Sequence, residues 1–185
     1  MNERIFMATE NKTKARTPKT APVEEVVEDV KKPIIAKDID LNQLVVVRNG
    51  YQGRLVYKSP RTHEKFVWPE FGTEQMIELM ELRNAKNTYK KYFINNWFMF
   101  DDEYAWVIDY LGMSQYYKHA LRVDNFDDVF DKSPSDIEKI VAKLSAGQKK
   151  SLSYRARQLI ADGGIDSNRA IAALEKSLGI ELVER

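Results

Sequence analysis

The chain contains no cysteine. Disulfides, thiolate metal sites and cysteine nucleophiles are therefore excluded together. Its two histidines, His63 and His119, are too few for a histidine-based zinc site and give no basis for a triad. No apolar run approaches the roughly 20 residues that a membrane span needs. The opening residues carry no apolar core of the kind a secretory signal requires, so none is expected. Formal net charge is +1, so no global field draws the molecule to nucleic acid or membrane, and electrostatic targeting has to be local. A glycine-rich phosphate loop, a nucleophile elbow and a kinase motif set are also missing. No nucleophile, base and orienting group can be named as a set, so no catalytic residue, metal or cofactor is expected and the chain is not read as an enzyme.

What is present is a concentration of aromatic residues. All three tryptophans, Trp68, Trp97 and Trp106, and five of the eight phenylalanines fall between Leu44 and Leu111. Large aromatics bury the most area per residue, so the core is expected there. A chain of 185 residues, 43% hydrophobic and 31% charged, holds one domain plus a tail or two small domains.

Residues 1–40 divide into charge blocks. Lys12, Lys14, Arg16 and Lys19 sit among Thr, Ala and Pro, and Glu24, Glu25, Glu28 and Asp29 follow. Eight basic and eight acidic residues cancel across this segment. Its apolar content is too low to offset ordering entropy, which predicts a disordered arm. Val23, Val26, Val27 and Val30 fall at helical spacing, so this stretch is a candidate partner-binding arm that orders on contact. Met7-Ala8-Thr9 reads as a natural beginning, with residues 1–6 as translated leader.

Residues 41–121 read as an α+β core domain. Leu44–Val47, Arg54–Lys58 and Lys65–Trp68 are short strand-like runs, separated by Asn49-Gly50 and by Ser59-Pro60. Both separators are turn signals, which predicts a small antiparallel β-meander. Such a meander is too small to stand alone and has to pack on aromatic-rich helices. Thr73 is expected to cap a helix running to about Ala85. Another helix is expected from Asn87 or Thr88, one capped by Asp101 or Asp102 and closed by Gly112, and a short one over residues 114–121. Residues 122–132, with Asp124, Asp127, Asp128 and Asp131, read as an acidic linker. Residues 133–185 read as a three-helix subdomain: Ser133-Pro134 starts the first helix, Ser145 with Gln148 forms a capping box for the second, and Asp166 or Ser167 caps the third, which ends at Gly179.

Four constellations could carry function. Arg54, Tyr57, Lys58, Arg61, Lys65 and Trp68 place basic and aromatic residues on the meander, a pattern that suits single-stranded nucleic acid or a protein partner. The alternation also fits a plainer arrangement, with aromatics in the core and cations in water. The last two helices resemble a helix-turn-helix in outline, with Ser167, Asn168 and Arg169 at the reading position. The paired acids Asp101-Asp102 and Asp127-Asp128 could bind a metal, but their position at helix starts favours capping. Finally, Tyr51, Tyr89, Tyr92, Tyr116 and Tyr117 add more rings than one modest domain needs, which favours a protein–protein interface.

The tail Asn11–Lys19 precedes an acidic stretch and a compact domain. The line Leu82–Asn87 leads into the Trp97 segment, and Ile165–Asn168 leads into Leu174-Glu175 and Leu178-Gly179-Ile180. In these features the chain resembles small virion-associated proteins of tailed phages that infect Gram-positive bacteria. The resemblance implies a non-enzymatic part of a capsid, neck or tail, found in the virion or host cytoplasm and working by contacts with other protein subunits. The alternative expectation is a nucleic-acid-binding regulator; no membrane partner is expected.

Overall fold

The computed structural model of the chain describes residues 39–183. The arm residues Val23, Val26, Val27 and Val30 and the proposed start at Met7 lie outside the described residues. The fold is α+β, with antiparallel strands packed on aromatic-rich helices.

Strand β1 (Leu44–Asn49) alternates, with Val45, Val47 and Asn49 buried and Leu44, Val46 and Arg48 turned outward. It pairs antiparallel with β4 (Glu74–Glu78) along its length and with the short β5 (Phe98–Met99) at Arg48 and Asn49. Strands β2 (Leu55–Lys58) and β3 (Lys65–Trp68) form a separate antiparallel hairpin, in register Leu55↔Trp68 and Tyr57↔Phe66. Strands β1, β2 and β3 are thus where the sequence puts them, but β4 and β5 fall in residues not read as strand, and β1 pairs with them rather than with β2.

Two local interactions account for that difference. Asn49-Gly50 does not make a two-residue hairpin turn. The buried Asn49 amide donates to the carbonyls of Gly53 (2.8 Å) and Glu70 (2.9 Å), and its Oδ1 accepts from the Tyr51 N–H. Gly50 donates its N–H to the Trp97 carbonyl, and a Cβ there would lie 2.2 Å from the Asn96 carbonyl oxygen. Glycine is required for this close approach of two backbones, not for the turn that Asn-Gly suggests.

The expected helix from Thr73 begins later. Residues 74–78 form β4 because β1 offers a ladder of unpaired backbone groups, and tertiary pairing overrides local helix preference. The Thr73 hydroxyl donates to the Glu70 carbonyl instead of capping. Helix α1 (Leu79–Thr88) starts where β4 ends; the N–H groups of Leu79 and Met80 donate to the carbonyls of Gln43 and Leu41. The aromatic helix expected after Thr88 shortens to α2 (Lys91–Ile94). Helices α3 (Ala105–Tyr110) and α4 (Ser114–Tyr117) follow, and Gly112 adopts positive φ between them.

The C-terminal helices are α5 (Pro134–Lys143), α6 (Ala146–Ala161) and α7 (Asn168–Leu178). Ser133, Ser145 and Ser167 accept hydrogen bonds at the three N-caps, and Gly179 closes α7 in the left-handed conformation. The capping box at Ser145 is only half formed. Gln148 points away, donating to the Leu121 carbonyl and accepting from the Leu121 N–H.

Two apolar clusters result. The first gathers Val45, Val47, Tyr57, Trp68, Ile77, Leu82, Phe93 and Phe98 from the strands and α1–α2. The second gathers Ile137, Val141, Leu152, Ala156 and Leu174 from α5–α7. Phe126, Val129 and Phe130, from the segment expected as an acidic linker, are buried in the second cluster.

Helix α6 touches both. Leu152 and Ala156 enter the second cluster, while the first turns meet loops of the first. The Ser151 hydroxyl donates to the Gly50 carbonyl and accepts from the Gln52 N–H. A Cβ on Gly147 would lie 2.2 Å from the Asn95 carbonyl oxygen and 2.4 Å from the Asn95 Cβ. Gly147→Ala is therefore expected to destabilise the protein by about 1–3 kcal/mol, even though alanine is the better helix former. Urea denaturation checks this; an unchanged or raised midpoint would mean that α6 does not dock here.

Candidate interaction surface

The residues read from the sequence as one basic, aromatic face are divided by the strand alternation. Tyr57 and Trp68 are fully buried and offer no ring face to a partner, which corrects their reading as contact residues. Trp68 donates its indole N–H to the Val47 carbonyl (2.8 Å), joining the hairpin to β1. Tyr57 sits among Phe66, Tyr89, Tyr92 and Phe98, with ring centroids 5.5–6.3 Å away.

The cations occupy the other side. In β2 and β3 the register sets Lys58 directly opposite Lys65 and Val56 opposite Val67. These positions alternate with the buried Leu55, Tyr57 and Trp68, so they face outward together. Arg54 precedes β2 on the same parity and is exposed. Arg54, Lys58 and Lys65 form no ion pair among the described residues. Like charges directly opposite across a strand pair repel each other, so this hairpin carries concentrated and uncompensated positive charge.

Arg61 has a different role. Its Nε lies 3.5 Å from Glu81 Oε2 and its Nη2 lies 3.8 Å from Glu78 Oε2. Glu81 is 3% exposed, an unusual position for a carboxylate. Its Oε1 accepts a 2.6 Å hydrogen bond from the Tyr57 hydroxyl, whereas its buried Oε2 has no hydrogen-bond partner among the described residues. Glu81 also lines a groove of about 350 Å³ together with Leu44, Arg61, Glu64, Phe66, Met76 and Glu78. Three carboxylates thus face one guanidinium, beside apolar side chains.

That groove borders the outer face of β1 and β4. Val46 stands opposite Met76, and Leu44 stands opposite Glu78. Leu44 is 53% exposed and Met76 64%. The strand periodicity places them, and only the pairing of β1 with β4 brings them together. Sequence reasoning missed this surface because residues 74–78 read as helix, where Met76 and Ile77 would both have been assigned to the core.

The other constellations are largely consumed by internal pairing. Asp101 and Asp102 make no cap hydrogen bond with their side chains. Asp101 and Asp124 accept from Arg48 Nη1 at 3.2 and 2.7 Å, and Asp102 accepts from Arg122 at 2.7 Å. Asp127 receives Arg155 through both Nε and Nη2. These acids act as ion-pair partners rather than caps, because a guanidinium within reach is a stronger donor than a helix N–H. A cleft of about 440 Å³ beside them includes Asp124, Asp127 and Arg155, whose charges are already paired. Among the described residues no three His, Asp or Glu side chains are placed to hold a metal ion. In the helix-turn-helix outline Ser167 is used as the cap of α7, Arg155 is tied to Asp127, and Arg157 donates to the Glu181 carbonyl. Asn168 and Arg169 are exposed.

Comparison with known families, curated proteins and solved structures gives no match for this chain. No helix among the described residues is long and apolar enough to cross a membrane.

The surplus rings have also found partners. Tyr92 donates its hydroxyl to the Val56 carbonyl and Tyr117 to the Phe98 carbonyl. Tyr51 meets Trp97 and Tyr154 edge-on, and Lys150 lies 5.8 Å from the Tyr154 ring centre. Burial raises the phenol pKa of Tyr57, Tyr92 and Tyr117, and for Tyr57 the neighbouring Glu81 raises it further. An unfolded tyrosine ionises near pH 10. Below that pH both states keep these protons; above it the unfolded chain releases protons that the folded one retains. Stability is therefore full below about pH 10 and falls as pH rises beyond it. Urea midpoints measured on the alkaline side should drop, and Tyr117→Phe should flatten the decline. A flat profile from neutral pH to about pH 11 would contradict burial of these phenols.

Proposed function

We propose that this chain is a non-enzymatic assembly subunit that acts through contacts with other protein subunits. The observation that carries this reading is the outer face of β1 and β4, where Leu44, Val46 and Met76 form one apolar strip. A single exposed leucine needs no explanation, but contiguous apolar residues beside a groove mark an interaction surface. The resemblance to virion-associated proteins suggests a tailed-phage particle, assembled in the host cytoplasm, as the setting to test first. A second reading, nucleic-acid binding, draws support from the unpaired Arg54, Lys58 and Lys65. It lacks the exposed stacking platform that a basic and aromatic sheet would supply, since Tyr57 and Trp68 are buried.

A chain without cysteine allows a direct test. Met76→Cys introduces one thiol in the apolar strip, and Asp131→Cys introduces one at an exposed site elsewhere. In assembled material from the native source, maleimide labelling at position 76 should be strongly reduced and labelling at position 131 should persist. Equal labelling, or recovery of the chain only as a free 21.5 kDa species, would refute the assembly reading.

For nucleic acid, a mobility shift with a single-stranded oligonucleotide at low salt, abolished by Lys58→Glu with Lys65→Glu and weakening steeply with added salt, is the supporting result. No shift at low salt removes that reading.

A further inference from the structure

The acidic groove and the basic hairpin face are complementary to each other, and both belong to this chain. Glu64, Glu78 and Glu81 surround the groove with only Arg61 against them, and Leu44, Phe66 and Met76 supply its apolar wall. The outer hairpin face presents Lys58 and Lys65, with Arg54 beside them and with Val56, 40% exposed, as its apolar component. One surface has excess negative charge and the other excess positive charge. Each has apolar residues to bury once the charges meet.

A single chain cannot bring the two together. Phe66, which lines the groove, pairs with Tyr57 on the inward side of the hairpin, whereas Lys58 and Lys65 lie on the outward side. Side chains of successive strand residues point to opposite faces, so the two surfaces lie back to back across one two-stranded ribbon. The partner for either surface has to be another molecule.

We infer that a second copy of this chain seats its Lys58–Lys65 hairpin face in the Glu81 groove, giving head-to-tail self-association. This rests on the assembly reading above and specifies its partner. Lysines of the incoming copy pair with the exposed carboxylates of Glu64 and Glu78 at the rim of the groove, while Glu81, whose buried Oε2 lies 3.5 Å from Arg61 Nε, holds that arginine within it. Val56 of the incoming copy covers part of the strip formed by Leu44 and Met76. The contact uses different surfaces on the two molecules, so each bound copy still offers one free groove and one free hairpin. Such heterologous contacts close into rings or propagate into filaments, depending on the rotation between neighbours. Opposing lysines explain the direction: the repulsion between Lys58 and Lys65 is relieved when both meet carboxylates.

The test uses two variants of the full chain that leave the buried groups untouched. The groove variant combines Glu64→Lys with Glu78→Lys, and the hairpin variant combines Lys58→Glu with Lys65→Glu; all four positions are exposed. Circular dichroism and thermal melting confirm that both fold. Sedimentation velocity of the wild type at about 50 mM salt should show species larger than the monomer, with association weakened at least about tenfold by about 500 mM salt. Each variant alone should be monomeric. Mixing them should restore species larger than the monomer, because the groove variant keeps a working hairpin and the hairpin variant keeps a working groove. The two altered surfaces are again opposite in charge, lysines in the groove against glutamates on the hairpin, so they pair as well and the mixed species continues to grow. A mixture that stays monomeric overturns the inference. So does a wild type that remains monomeric at low salt and high concentration; position 76 protected in native assemblies would then leave the assembly reading standing with a different partner. Wild-type association unaffected by either variant also overturns it and points to another interface.

Discussion

The seating of α6 on the loops of the first cluster is the constraint on which the rest of the structure depends. Nothing larger than glycine fits at position 147 against Asn95. Around that point Ser151 bridges the Gly50 carbonyl and the Gln52 N–H, and Gln148 closes both backbone groups of Leu121. These are directional contacts between buried or half-buried polar groups. They fix a position in a way that apolar contact alone does not, because a misplacement leaves donors and acceptors unpaired where water cannot reach them. The Gly50 backbone that receives Ser151 is itself pressed against Asn96. The strand–loop contact and the helix–loop contact therefore share one short segment. Asn49 holds that segment from the other side through Gly53 and Glu70. The orientation of β1, and with it the outer face of the sheet, follows from how this segment is pinned.

Much of this was legible in the sequence, and what was not has a common cause. The three serine N-caps, Pro134 at the start of α5 and Gly179 at the end of α7 act through neighbours a few residues away. Their signals are local, so reading them required no tertiary information. The positions of β1, β2 and β3 were likewise readable from β-branched and aromatic runs. Pairing was not. Asn49-Gly50 is a hairpin signal in isolation, yet its amide and backbone are claimed by Glu70 and by Trp97, residues 21 and 47 positions onward in the chain. Residues 74–78 carry an apolar pair that suits a helix face, and only the open edge of β1 makes them a strand. The acids at 101, 102 and 127 looked like caps because they stand where helices were expected to begin. In space they meet Arg48, Arg122 and Arg155.

The candidate surface shows the same division. Alternation already allowed that the aromatics of the hairpin would turn inward and its cations outward. It could not show that Arg61 would leave the cationic group to face Glu78 and Glu81. The turn between β2 and β3 carries Arg61 over the inward side of the ribbon, so a run whose charges are all basic except Glu64 contributes to one positive face and to one groove with excess negative charge. Distributing opposite charges onto opposite faces also explains how a net charge of +1 coexists with strong local fields. The sum over the molecule is small, but each surface separately is not.

Glu81 links these surface properties to the core. Its carboxylate is held from within by Tyr57, whose own pKa is raised by burial and by that same contact. The second oxygen of Glu81 faces Arg61 Nε at 3.5 Å without a hydrogen bond, so the buried carboxylate is ion-paired but its hydrogen-bonding capacity is only partly met, which opposes folding. An apolar side chain of similar volume would pack here at less expense to the monomer. Under the proposed self-association, lysines arriving at Glu64 and Glu78 would add positive potential beside this carboxylate and so offset part of that cost. An interaction of that kind favours a bound cation over bulk water without demanding a large contact area. It would also tie the strength of that association to the hairpin core, because any change that shifts Tyr57 moves the Glu81 carboxylate and the Arg61 that faces it.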